Sequence, residues 1–119
     1  MVLWERRAKE CVDKIEPIDS LYFDVSVARH MLEKGKLDEA LTWLDETHAI
    51  LELRRSLEKG FITPEEYSSF QIIIGDIREA IKMTGALIQA MKTITELQTL
   101  LGIKAYLSFW RCMRQGILR

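Results

Sequence analysis

Apolar residues recur at helical spacing along almost the whole chain. Trp4, Ala8, Cys11, Val12 and Ile15 fall at i, i+4, i+7, i+8 and i+11, with Arg6, Arg7, Lys9, Glu10, Asp13 and Lys14 between them, the pattern of one amphipathic helix. Pro17 ends it or closely follows its end, because proline carries no N–H and crowds the preceding turn. Asp19 or Ser20 is placed to cap a second helix with the face Leu21, Val25, Ala28 and Leu32, and Gly35 supplies the left-handed residue after its last turn. A third segment, about 37–59, carries Leu37, Leu41, Leu44, His48 and Leu51 on one stripe, widened by Trp43, Ile50, Leu53 and Leu57, and reads as one helix.

The following connection is the most explicit local signal. Gly60 can take the positive φ that stops a helix, Thr63 offers its hydroxyl to the next helix, Pro64 suits the first turn, and Glu66 completes a Thr-x-x-Glu capping box. The helices on either side are therefore expected to form an antiparallel hairpin. Beyond Pro64 the stripe runs Phe70, Ile73, Ile74, Ile77, Ile81, Thr84, Ile88, Met91, Ile94, Leu97 and Leu101, with Gly102 as its stop. Uninterrupted, 64–101 would be about 57 Å long, against a diameter of roughly 35 Å for a compact chain of this size. Gly75, followed by Asp76 and Glu79, or Gly85 can break it, yet the stripe keeps its phase across both, and an isolated Gly costs a helix only about 1 kcal/mol. The expectation is one long helix, kinked at Gly75 or Gly85 if anywhere, whose protruding end a second copy covers. Its spacing is nearer 3.6 than 3.5, so this stripe is no sustained coiled-coil seam.

The last segment, from Ile103 to about Gln115, places Tyr106, Leu107, Trp110 and Met113 on one side with Phe109 beside them. Its charges are Lys104, Arg111, Arg114 and, beyond the helix, Arg119, and no acid follows Glu96. No strand-period alternation occurs. The chain's 119 residues are 48% hydrophobic and 29% charged with only six Gly and two Pro, which gives one all-α domain over 1–119, a bundle of four to six helices built from αα-hairpins.

Charge changes the picture only locally. The formal net charge of −1 excludes a global field for polyanions. Residues 1–59 carry ten Lys plus Arg against thirteen Asp plus Glu, 10 − 13 = −3, and residues 60–119 carry 7 − 5 = +2, opposite signs suited to docking of one half on another. Cys11 and Cys112 stand alone, outside any C-x-x-C or Cys/His pattern, and read as free buried thiols of a cytoplasmic protein. The N-terminal residues form no apolar signal segment, and no apolar run approaches the roughly 18 residues of a membrane span.

Chemistry has little support. Asp45, His48 and Glu52, at i, i+3 and i+7, would share a helix face with metal-ligand spacing, but His30 and Glu33 stand in reversed order and give no second motif. There is no G-x-G-x-x-G, no G-x-x-x-x-G-K-[ST] and no H-E-x-x-H, and no serine or cysteine has a base in a nucleophile's context. No cofactor and no small-molecule substrate is implied.

Ala28, Met31, Gly35, Leu37, Ala40, Leu41 and Leu44 resemble the middle of one tetratricopeptide repeat, in which a Gly ends the first helix and a small Ala lets the pair close. The repeat's early Trp, late Ala and closing Pro are replaced by Asp24, Thr47 and Glu52, so the resemblance implies an αα-hairpin there and no array. The functional expectation is a non-enzymatic protein-interaction or scaffold module that self-associates and docks another protein. Its anchors would be those of Trp43, Phe61, Tyr67, Trp110 and Met113 that stay exposed. The alternative is a nucleic-acid or anionic-membrane contact through the C-terminal helix, with Lys104, Arg111 and Arg114 interleaved with Tyr106 and Trp110. A metal-dependent enzyme around His48 comes third.

Overall fold

In the computed structural model, which describes residues 2–83 and 85–117, every regular element among the described residues is helical. Thr84, counted in the long stripe, and Arg119, counted among the C-terminal cations, lie outside them. The helices are α1 (Val2–Lys14), α2 (Glu16–Glu33), α3 (Leu37–Trp43), α4 (Ala49–Glu58), α5 (Pro64–Lys82) and α6 (Leu87–Ile117). The all-α bundle is therefore the fold, with six helices among the described residues.

The first junction is tighter than the sequence suggests. α2 starts at Glu16, so Pro17 sits in its first turn, where a missing N–H costs nothing, and neither Asp19 nor Ser20 caps it. The N-cap position falls to Ile15, without a side-chain cap, and the Ser20 hydroxyl donates instead to the Glu16 carboxylate at 2.8 Å. Gly35 takes φ +74° after α2, and Ala28 and Ala40 are fully buried where α2 and α3 meet, the αα-hairpin implied by the repeat-like residues.

The segment read as one helix over 37–59 is two. Asp45 interrupts it: its carboxylate accepts from the Thr47 N–H at 2.8 Å and the Thr47 hydroxyl at 2.7 Å, a side-chain turn that competes with the helical ladder. α4 then begins at Ala49 and runs to Glu58, and Gly60, at φ +78°, follows its C-cap Lys59. The Thr63 to Glu66 connection forms as read: the Glu66 N–H donates to the Thr63 hydroxyl at 3.1 Å and the Thr63 N–H to the Glu66 carboxylate at 2.9 Å. α4 and α5 pack on each other across it.

The continuous helix over 64–101 is not what forms. α5 ends at Lys82, and Gly85, φ +88°, turns the chain so that α6 folds back to pack against α5. Gly75 stays inside α5. Gly102 is no stop either: α6 runs through it for 31 residues, about 46 Å at 1.5 Å per residue. A Cβ on Gly102 would stand 3.3 Å from the Tyr22 ring, so this glycine serves the close approach of α2 to α6. The elongation expected of an overlong helix is present but belongs to α6: the extents are 54 × 28 × 22 Å and the radius of gyration is 15.7 Å.

The main core unites Ile18, Leu21, Val25 and Ala28 of α2 with Ala40, Leu44, Leu53, Phe70, Ile74, Ile77 and Ile81, and closes on Ala90, Ile94, Leu97 and Leu101 of α6. Burying a side chain such as Leu or Ile is worth about 1.5–3 kcal/mol, so this cluster dominates folding. A smaller cluster, Cys11, Cys112 and Met113 with Ala8 and Phe109 against it, holds α1 to the end of α6. The cysteines are not free thiols. They form a disulfide with Cα atoms 5.7 Å apart, because the fold returns its two ends to one place and both residues face inward there. Among the described residues no helix is long and apolar enough to cross a membrane.

Candidate interaction surface

α6 is apolar on two faces. Ala90, Ile94, Leu97 and Leu101 face the core and are buried. On the opposite side Leu100, Ile103, Leu107 and Trp110 remain exposed, Leu107 to 56%, with Tyr106 beside them at 63%. Their spacing of 3, 4 and 3 residues keeps them in one line on a helix. The exposure of a single leucine means nothing, but a line of large apolar side chains on one solvent-facing ridge is an unusual surface. The Tyr106 and Trp110 rings lie edge to face with centroids 6.3 Å apart, and Phe109 and Trp110 at 5.2 Å. Toward the N-terminus the same line turns polar, through Glu96, Lys92 and Gln89, so the apolar part is bounded.

The ridge is held stiffly from both sides. On one flank the Arg29 guanidinium donates to the Gln98 Oε1 at 2.8 Å, and the Gln98 amide donates to the Ser26 hydroxyl at 2.9 Å, tying α2 to α6. On the other, Lys104 Nζ donates to both Glu66 oxygens at 3.0 and 3.1 Å. The capping hydrogen bond from Thr63 and that pair hold the Glu66 carboxyl below the usual range. A groove of about 510 Å³ between α2 and α6, lined by Tyr22, Arg29, Gln98, Ile103 and Tyr106, runs beside the stripe.

Of the residues singled out in the sequence, Tyr106, Trp110 and Arg114 come together on this ridge, and Arg111 is exposed at its edge. Met113 is fully buried behind the disulfide and drops out as an exposed anchor. Lys104 is engaged by Glu66 and is not a free cation. Trp43 lies elsewhere, half-buried between Phe23, 6.0 Å away edge to face, and the His48 ring at 4.6 Å. Tyr67 and Phe61 are half-buried against the core. Phe61 also lines a cavity of about 580 Å³ where Lys14, Lys59 and Arg111 converge from α1, the end of α4 and α6. Leu100, Ile103 and Leu107 do not stand out in the sequence as a surface, because taking Gly102 as a helix stop divides their line in two.

The His48 spacing assumes a helix that does not form. Asp45 and His48 lie in the turn between α3 and α4, with the ring Nδ1 3.2 Å from Asp45 Oδ1, while Glu52 accepts from Arg55 at 2.6 Å. Among the described residues no three His, Cys, Asp or Glu side chains converge to hold a metal ion. Comparison of the chain with protein-family models, curated proteins and solved structures returns no match, and the reading of the α6 ridge rests on its own geometry.

Proposed function

We propose that the protein is a non-enzymatic interaction module that works in self-associated form, with the outer face of α6 as its contact surface. The observation that supports this is the exposed line Leu100, Ile103, Leu107 and Trp110, which is large, aromatic at one end and bounded by polar residues. Aromatic and apolar anchors of this kind dominate interface energetics. Sedimentation of the wild type should report reversible dimer formation between about 10 µM and about 1 mM, and Leu107→Glu should weaken it at least about tenfold. Leu107 is exposed in the single copy, so the substitution should leave folding stability within about 0.5 kcal/mol. A wild type that stays monomeric across the range overturns the reading.

A second reading is supported by the cavity in which Lys14, Lys59 and Arg111 meet, since no acid lines it and none of the three forms an ion pair among the described residues. A phosphate-bearing polymer or membrane surface would suit it. Titration with single-stranded DNA and with anionic vesicles at low salt should then show binding that Arg111→Gln weakens and added salt abolishes. No binding at low salt ends this reading.

A further inference from the structure

The outer line of α6 extends beyond its apolar part in strict register. Glu96, Leu100, Ile103, Leu107, Trp110 and Arg114 are spaced 4, 3, 4, 3 and 4, so that Leu100, Leu107 and Arg114 are one heptad apart, as are Glu96, Ile103 and Trp110. This is the a/d spacing of a coiled-coil seam, on the face opposite the core stripe. The line is also its own reverse: the positions pair symmetrically about residue 105, Leu100 with Trp110, Ile103 with Leu107 and Glu96 with Arg114. Both charged ends are exposed and form no ion pair or side-chain hydrogen bond among the described residues, whereas Lys104 and Glu66 nearby satisfy each other.

We infer that α6 pairs antiparallel with α6 of a second copy about a two-fold axis that crosses the outer line between Ile103 and Leu107, level with residue 105, with Glu96 of each copy facing the partner's Arg114. This rests on the self-association proposed above and fixes its geometry. In that register Leu100 stands across from the partner's Trp110 and Ile103 across from the partner's Leu107, so large side chains meet at every layer. The two symmetry-related pairs of Glu96 with the partner's Arg114 close both ends of the apolar strip. A parallel pairing would instead set Glu96 against the partner's Glu96 and Arg114 against the partner's Arg114, like charges at both ends. An isologous contact of this kind uses one patch twice and closes at two copies. From 96 to 114 the seam spans about 27 Å, and at about one helix diameter it covers roughly 300 Å² per copy, well below a standard interface, which makes the dimer a reversible one.

Charge reversal tests the register without disturbing the fold, since both residues are exposed. Glu96→Arg and Arg114→Glu should each weaken the dimer about five- to thirtyfold, because each turns two facing pairs from attractive to repulsive. An equimolar mixture of the two variants should dimerise within about threefold of wild type. In the mixed dimer the two introduced charges, of opposite sign, face each other at one end, and the unaltered Glu96 and Arg114 face each other at the other. Recovery on mixing cannot come from damage to either fold. If wild type dimerises and both variants do so equally well, the antiparallel register is overturned while self-association stands. If both are weakened and mixing restores nothing, the register is likewise overturned. A wild type monomeric to about 1 mM overturns the pairing together with the reading beneath it.

Discussion

Replacing Cys11 and Cys112 by serine, or reducing the wild type, is expected to lower stability by about 3–5 kcal/mol. The two residues are 101 apart in sequence, and a bond closing a loop of about 100 residues removes unfolded-state entropy worth about 4.7 kcal/mol. For a domain stable by about 5–15 kcal/mol that is a large share. The loss should not be spread evenly. No residue of α1 belongs to the main core, which starts at Ile18, and apart from the disulfide α1 holds α6 through Ala8, Met113, Phe109 and the 2.6 Å hydrogen bond that Arg7 donates to the Cys112 carbonyl. Without the bond, amide hydrogens of α1 should exchange first while α2 to α6 stay protected. Urea unfolding with and without reductant, alongside hydrogen exchange, measures both effects. A change under about 1 kcal/mol, or protection lost uniformly, would sink the expectation. The same bond ties the behaviour of the chain to its surroundings, because a reducing cytoplasm keeps such pairs open and an oxidising compartment keeps them closed.

What can be read in the sequence, and what cannot, divides by range. The Thr63 capping box and the stops at Gly35 and Gly60 are written in a few neighbouring residues, and they form as read. The break at Asp45 is just as local but less visible: an aspartate inside an apolar stripe looks like an exposed helical position until its carboxylate captures the Thr47 N–H. Gly75, Gly85 and Gly102 cannot be told apart from their neighbours. The stripe read across Gly85 continues through Ile88, yet Ile88 is left 86% exposed: the buried positions beyond the turn, Ala90, Ile94 and Leu97, stand about half a helical turn out of phase with Ile74, Ile77 and Ile81, and the turn at Gly85 brings both sets into one core. Which glycine turns is decided by that packing. The contact ridge is hidden for the same reason, since its line crosses Gly102 and becomes visible only once α6 is known to be continuous. The disulfide, across 101 residues, is a purely tertiary fact.

Asp24→Asn is expected to stabilise the protein at pH 7 by about 2–3 kcal/mol, and to do nothing below about pH 4. Asp24 is 7% exposed on α2, where it faces Glu52 and His48, and it makes no hydrogen bond or ion pair among the described residues. Burial, then the Glu52 charge, push its pKa up from 3.8 to about 6, and the attraction of His48 offsets only part of this. The neighbouring Ser56 shows the contrast, for it is fully buried but donates to the Glu52 carbonyl at 2.8 Å. A folded-state pKa above the unfolded one means that the folded chain holds the proton more tightly. The resulting stability is complete below about pH 4 and is lost as pH rises through about 6. At 1.36 kcal/mol per pH unit the gap is worth roughly 3 kcal/mol at neutral pH, and solvent reaching the carboxylate reduces it. Asparagine keeps the shape and stays neutral, so the variant should match wild type at about pH 3.5 and pull ahead between about pH 4 and 6. Glu16, Asp45 and Glu66, held below their ordinary values by hydrogen bonds and neighbouring cations, act in the opposite sense, but they are common to both proteins and cancel in the difference. The Glu52 carboxyl is raised by its own burial and by Glu16, and its repulsion of Asp24 is already contained in the Asp24 shift, so it adds nothing further to the difference. Denaturant midpoints of the two proteins across about pH 3.5 to 7 measure the difference directly. A gap that does not change with pH, or a variant less stable at pH 7, would show that the buried carboxylate finds a compensating partner that its neighbours in the fold do not supply.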